Sequence, residues 1–184
     1  MPQSDTATLS IGTGRFYTGA VGAAAPADKA ALLAPGATWT DLGHTSLEDI
    51  IAFSSEGGDV TTLGTLQSPV LRTKTAARTE SFTINVQQWD SASLKLYYGS
   101  NFDVISTGAI FSGVPTAPVK TTKAFLAVFQ DGASVFALYA PKAEIFRGDD
   151  VDFSDTEALA NLPLVITPLV NGSNPWAFAV TPLV

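Results

Sequence analysis

In the stretch ESFTINVQ, residues 80 to 87, Phe82, Ile84 and Val86 occupy alternate positions with Ser81, Thr83 and Asn85 between them. A period of two lays the apolar set on one face of an extended chain and the polar set on the other, which a helix of 3.6 residues per turn cannot do. The stretch therefore predicts a strand with one face in a core. One strand cannot bury that face alone, so neighbouring strands are required, and the rest of the sequence supplies them.

KAFLAVFQDGASVFALYAP holds two apolar runs around Gln130-Asp131-Gly132-Ala133. Asp-Gly can supply the positive φ angles of a tight hairpin, and runs apolar on both faces suit central strands covered on each side. NLPLVITPLV and WAFAV, separated by Asn171-Gly172-Ser173-Asn174-Pro175, predict a closing strand pair. Pro163 and Pro168 would put the first of that pair at a sheet edge, because proline has no N–H to donate. Gly12-Thr13-Gly14 lacks the third glycine of a dinucleotide fingerprint and reads as a β-turn.

The best helix is WDSASLKLYYG, with Asp90 or Ser91 as N-cap, Leu94 and Tyr97 or Tyr98 on one face, and Gly99 as its stop. PADKAALLAPG allows a second helix of at most two turns, bracketed by Pro26 and Pro35. TWTDLGHTSLEDI reads as a short strand from Trp39 to Gly43, a polar reversal through His44 to Asp49, and a second strand from Ile50. Two polar stretches are expected to be exposed: an N-terminal arm over about residues 1–14, and a long loop or hairpin over about 54–74 that projects from the body. The fold class is thus mainly β, a β-sandwich or barrel-like single domain over 1–184 with one short flanking helix.

With 46% hydrophobic and 15% charged residues the chain can bury enough apolar surface to fold. The absence of cysteine removes disulfides, thiolate nucleophiles and sulfur-ligated zinc. Seventeen acids against ten bases give a formal charge of −7, a sign that repels nucleic acid. The start, MPQSDTATLS, carries neither a basic region nor an apolar run, so no standard secretion signal or membrane span is expected.

His44 is the one imidazole, so any Ser-His-Asp arrangement must use it, yet no G-x-S-x-G elbow stands near a serine. A structural histidine is favoured, and no catalytic residue, cofactor or metal is assigned. EIFRGDDVDFSDTE carries six carboxylates against one arginine. Counted from Asp150, the sixth position is Asp155 where a calcium loop needs Gly, and the twelfth is Asn161 where it needs Glu. A solvated acidic loop is the better reading. Arg72, Lys74 and Arg78 form the one basic cluster; if residues 69–74 are a strand, Arg72 and Lys74 share a face. Trp39, Trp89 and Trp176 read as core or interface anchors rather than a sugar platform.

The order APGATWTDLGHTSLEDI, a polar segment through Gly64, then SPVLRTKTAARTESFTINVQQWD and a short helix resembles the major tail proteins of long-tailed, non-contractile phages. The resemblance is carried by Trp39 shortly before Asp41-Leu42-Gly43, and by Glu80-Ser81-Phe82-Thr83 leading into the helix. It implies a tail-tube-like fold whose copies, six to a ring, stack into the tail tube of a virion, made in the host cytoplasm. The partners it implies are further copies of the chain, a tape-measure protein, tail terminator and tail-tip proteins, and passing double-stranded DNA that is not specifically bound. Glu56, Asp59, Arg72 and Lys74, with the N-terminal arm, become candidate contacts between rings. Asp149, Asp150, Asp152 and Asp155 become candidate lumen or interface acids, since an acidic lumen would let DNA slide without phosphate contacts. The rival classes are a β-sandwich binding or adhesion module, and a hydrolase built on His44 or on paired carboxylates.

Overall fold

The computed structural model of the protein describes residues 8–102, 110–151, 153, 156–172 and 174–184. Its elements are β1 (Thr13–Gly19), α1 (Lys29–Leu33), β2 (Trp39–Asp41), β3 (Ala52–Gly57), β4 (Val60–Leu63), β5 (Arg72–Thr75), β6 (Arg78–Val86), α2 (Ser91–Tyr98), β7 (Thr121–Asp131), β8 (Ser134–Arg147), β9 (Leu162–Pro168) and β10 (Ala179–Val180). Eight strands form one antiparallel sheet in the order β2-β1-β7-β8-β9-β6-β3, with β10 also on β8, while β4 and β5 pair as a separate ribbon.

The expected strand over 80–87 is β6, and its apolar set is buried: Phe82, Ile84 and Val86 are at most 2% exposed. The hairpin is β7–β8, closed by Gly132 and Ala133 with Asp131 opposite Ser134. Gly132, at φ 55°, alone supplies a positive φ there, and Asp131 stays in the strand. β7 is covered on both faces as expected. Phe125, Ala127 and Phe129 face one cluster, while Ala124, Leu126 and Val128 face another that includes Leu32 of α1, Trp39 and Tyr139.

The segment TWTDLGHTSLEDI is the seam of the sheet. Trp39, Thr40 and Asp41 pair with Gly19, Thr18 and Tyr17, and Leu42 N donates to the Phe16 carbonyl at 2.9 Å. Three residues later the chain pairs with the opposite end of the sheet: Gln87 N donates to the His44 carbonyl and Ser46 N to the Asn85 carbonyl, both at 2.8 Å, around the Thr45–Val86 bridge. One short stretch bonded to β1 on one side and β6 on the other closes the sheet into a barrel. The interior shows the closure, because the Phe125 ring stacks on both Phe16 and Phe82, each at 6.3 Å. The regular strand ends at Asp41, two residues earlier than expected, and β3 starts at Ala52.

Three further expectations are corrected. β9 is an interior strand between β8 and β6, although it carries both prolines. Backbone groups along a strand turn alternately to its two neighbours. The Pro163 carbonyl accepts from Gly148 N at 2.8 Å, so its missing N–H faces β8 just past that strand's last residue, Arg147. Leu169 N bonds the Lys142 carbonyl on β8, so Pro168 turns the other way, toward β6, where the ladder has already stopped at Ile166. Neither proline breaks a bond. Second, β9 and β10 do not pair with each other: both lie along β8, β10 against Leu138–Tyr139 and β9 against Ala143–Arg147. Third, Thr13 and Gly14 open β1 rather than form a turn, pairing with Gln130 and Phe129. Residues 13 and 14 of the expected arm thus belong to β1.

Both helices form. Asp28 caps α1 through Ala31 N and Asp90 caps α2 through Ser93 N, each at 2.8 Å. Leu96 and Tyr97 of α2 belong to the same cluster as the barrel interior. The helix follows the end of β6 and touches the start of β7, where Thr121 Oγ1 reaches the Lys95 carbonyl. α2 thus plugs the end of the barrel where β6 and β8 finish and β7 and β9 begin.

Candidate assembly surfaces

β3 and β6 run on beyond the barrel into the β4–β5 ribbon through a corner at Gly57-Gly58-Asp59. Gly57 and Gly58 hold φ 84° and 79°, a region that L side chains avoid, and a Cβ on Gly57 would sit 2.5 Å from the Ala77 carbonyl oxygen. The register sets Val60 against Thr75, Thr61 against Lys74, Thr62 against Thr73 and Leu63 against Arg72. One face therefore carries Thr61, Leu63, Arg72 and Lys74, and the other carries Val60 and three threonines. Every residue of both strands is exposed, so neither face lies on the barrel. At the tip Leu66 is 94% and Val70 73% exposed. Exposed apolar residues concentrated on a two-stranded ribbon are the mark of a surface awaiting a partner.

Of the four expected contact residues, the ribbon brings Arg72 and Lys74 together on one face. Asp59 sits in the corner, its carbonyl accepting from Ala76 N at 2.9 Å, and Glu56 lies on β3 opposite Thr79. Among the described residues neither Arg72 nor Lys74 has an ion-pair partner.

The plugged end of the barrel differs in character. Asp149 and Asp150 leave β8 there, exposed, with the Asp149 carbonyl accepting from the Tyr97 hydroxyl at 2.7 Å. Asp150 N donates to Asp149 Oδ1 at 2.9 Å, and neither carboxylate is in an ion pair among the described residues. Asp152 and Asp155 lie outside the described residues. Trp89 donates its indole N–H to the Ala160 carbonyl at 3.1 Å and packs on Phe153, itself 71% exposed. Leu159, beside Ala160, is also 71% exposed.

At the ribbon end the barrel opens in an apolar hollow of about 320 Å³ lined by Ile51, Phe53, Phe82, Phe136, Leu138, Phe178 and Val180. Phe178 reaches in to meet Phe82 edge-on at 5.3 Å and fills part of the space that β9, which stops short, leaves open. Trp39 is buried against Tyr139, whereas Trp89 and Trp176 are partly exposed, the latter on the Tyr139 ring.

His44 is exposed, and it is its backbone carbonyl that is engaged, in the seam. Among the described residues no three His, Asp or Glu side chains gather as a metal site, and no helix is long and apolar enough to cross a membrane. The exposed leucines and valines of the ribbon escaped sequence reasoning. In TTLGTLQSPVL they read as sparse anchors in a polar loop, and only the pairing of β4 with β5 gathers them.

The matched comparisons agree with this architecture. A family described as phage tail tube protein matches residues 1–179. The chain is similar to the major tail protein Gp23 of Mycobacterium phage L5, 36% identical over 181 residues, covering 92% of this chain and 88% of that protein. It is also similar to the Gp23 of Mycobacterium phage D29, 34% identical over 179 residues with the same coverage. A match along nearly the whole barrel, its ribbon and its plugging helix, together with two relatives above one-third identity, makes this chain a member of the phage tail tube protein family.

Proposed function

We propose that copies of this chain close into rings, six to a ring, that stack head to tail into the tube of a non-contractile phage tail. The carrying observation is that the two ends of the barrel are unlike. One bears a projecting ribbon with exposed leucines and valines, the other a helix-plugged surface with exposed aromatics and acids. Two different surfaces at opposite ends make a heterologous contact, which repeats without closing and builds an open fibre. The role is structural, with no residue assigned to catalysis and no cofactor. The tape-measure protein would fill the channel first, the terminator and tip proteins would bound the tube, and double-stranded DNA would pass later. A formal charge of −7 per subunit supports passage without adhesion, since few phosphate contacts form on an acidic wall. The subunit would be made in the host cytoplasm and assembled at a growing tail.

Electron microscopy of the concentrated protein in negative stain tests this. Rings or tubes about a hundred ångström wide, the size of six such domains around a pore, are expected. Discrete small particles at every concentration would overturn it.

A further inference from the structure

Resting on that reading, we infer that the basic face of the β4–β5 ribbon docks on the acidic, helix-plugged end of a second copy, with Arg72 and Lys74 facing Asp149 and Asp150. Among the described residues neither set has an ion-pair partner. Arg72 and Lys74 lie opposite Leu63 and Thr61, neither of them an acid, and Asp149 and Asp150 have no ion pair among the described residues.

The strand register separates the two sets within the subunit. β5 precedes the start of β6 at Arg78. The far end of β6, Val86, pairs with Leu162, and Leu164 two residues on pairs with Arg147, the last residue of β8, from which Gly148 leads to the acids. The nine residues of β6 thus lie between the two sets, a span of about 30 Å. Salt at physiological strength screens charges beyond about 8 Å, so the sets cannot serve each other inside one subunit. Head-to-tail stacking is the arrangement that brings them into contact.

The apolar neighbours match as well. Leu63 shares the face of Arg72 and Lys74, and Leu66 and Val70 stand at the tip. At the acidic end Trp89 and Phe153 form an exposed aromatic pair with ring centres 5.3 Å apart. Burying that apolar surface would supply affinity, while the charges fix which end meets which and suppress ribbon-to-ribbon contacts. An acid contact of this kind takes Asp149 and Asp150 out of the lumen and makes them part of the joint between rings.

A charge swap in the full-length chain tests the pairing, with rings read by native mass spectrometry and tubes by sedimentation and microscopy. Arg72→Asp with Lys74→Asp should leave rings intact and shift protein from the tube pellet to the supernatant. Asp149→Lys with Asp150→Lys should do the same, and the four substitutions together should return protein to the pellet. Tubes from either double variant at the yield of the unaltered chain would overturn the pairing, as would failure of the combined variant to restore them. Circular dichroism and thermal unfolding of each variant first establish that the barrel is folded. The tail-tube reading itself fails separately, if the unaltered chain forms no tubes.

Discussion

The Tyr97 hydroxyl donates to the Asp149 carbonyl at 2.7 Å, tying the helix that plugs the barrel to the chain leaving β8. The bond joins residues 52 apart in sequence and anchors the acidic end of the subunit to its core.

Tyr97→Phe removes that bond and should lower stability at neutral pH by about 1 kcal/mol, read from the urea midpoint. Burial, with a smaller contribution from Tyr98, pushes the Tyr97 phenol above its ordinary value. A raised value in the folded state favours the neutral form, so this contribution is whole below pH about 10 and is lost as pH rises through the folded value. Tyr139, also raised by burial, adds to the same limb. The phenylalanine variant should therefore lose stability less steeply above pH 10 than the unaltered chain; an identical alkaline slope would contradict the assignment.

Asp90 caps α2, and the backbone hydrogen bond from Ser93 holds its carboxyl below the usual carboxylate range, against an opposing push from burial. A lowered value contributes stability that is present above the unfolded value of about 3.9 and lost as pH falls through the folded one. Asp90→Ala should cost about 1 kcal/mol at neutral pH. Asp90→Asn keeps an acceptor for Ser93 N, so it should cost less at neutral pH while flattening the acid limb. Urea titrations of both variants at pH 3 and pH 7 decide the point.

Gly57→Ala forces a side chain into φ 84° and toward the Ala77 carbonyl. The penalty, about 1–2 kcal/mol, falls on the corner of the ribbon and not on the barrel. Thermal unfolding of the barrel should hardly move, whereas tube yield should fall because the ribbon is re-aimed. Tubes formed at full yield would show that the angle of the corner does not matter for assembly.

Phe125 is fully buried between Phe16 and Phe82. Phe125→Ala should cost about 3–5 kcal/mol, a large share of the roughly 5–15 kcal/mol by which domains are ordinarily stable. His44→Ala, by contrast, removes an exposed ring and leaves the carbonyl that the seam uses, so a change within about 0.5 kcal/mol is expected. Differential scanning calorimetry compares the two directly, and a strongly destabilised His44 variant would give the ring a structural role that its exposure does not suggest.

Local chemistry made much of this protein legible in its sequence. The alternation of Phe82, Ile84 and Val86 dictated a half-buried strand, Asp131-Gly132 a hairpin, and Asp90 and Gly99 the two ends of a helix. Each rests on residues a few positions apart, where side-chain direction and backbone preference act without help from the rest of the chain. Pairing across the fold obeys no such rule. The tertiary structure alone decided that Trp39 to Ser46 bonds both ends of the sheet, and that Pro163 and Pro168 sit harmlessly inside it because each faces a ladder that has ended. It also decided that Arg72 and Lys74 stand a strand's length from Asp149 and Asp150. Those facts depend on which distant backbone groups meet, and closing a long loop costs little more than closing a short one, so sequence separation carries almost no information about them.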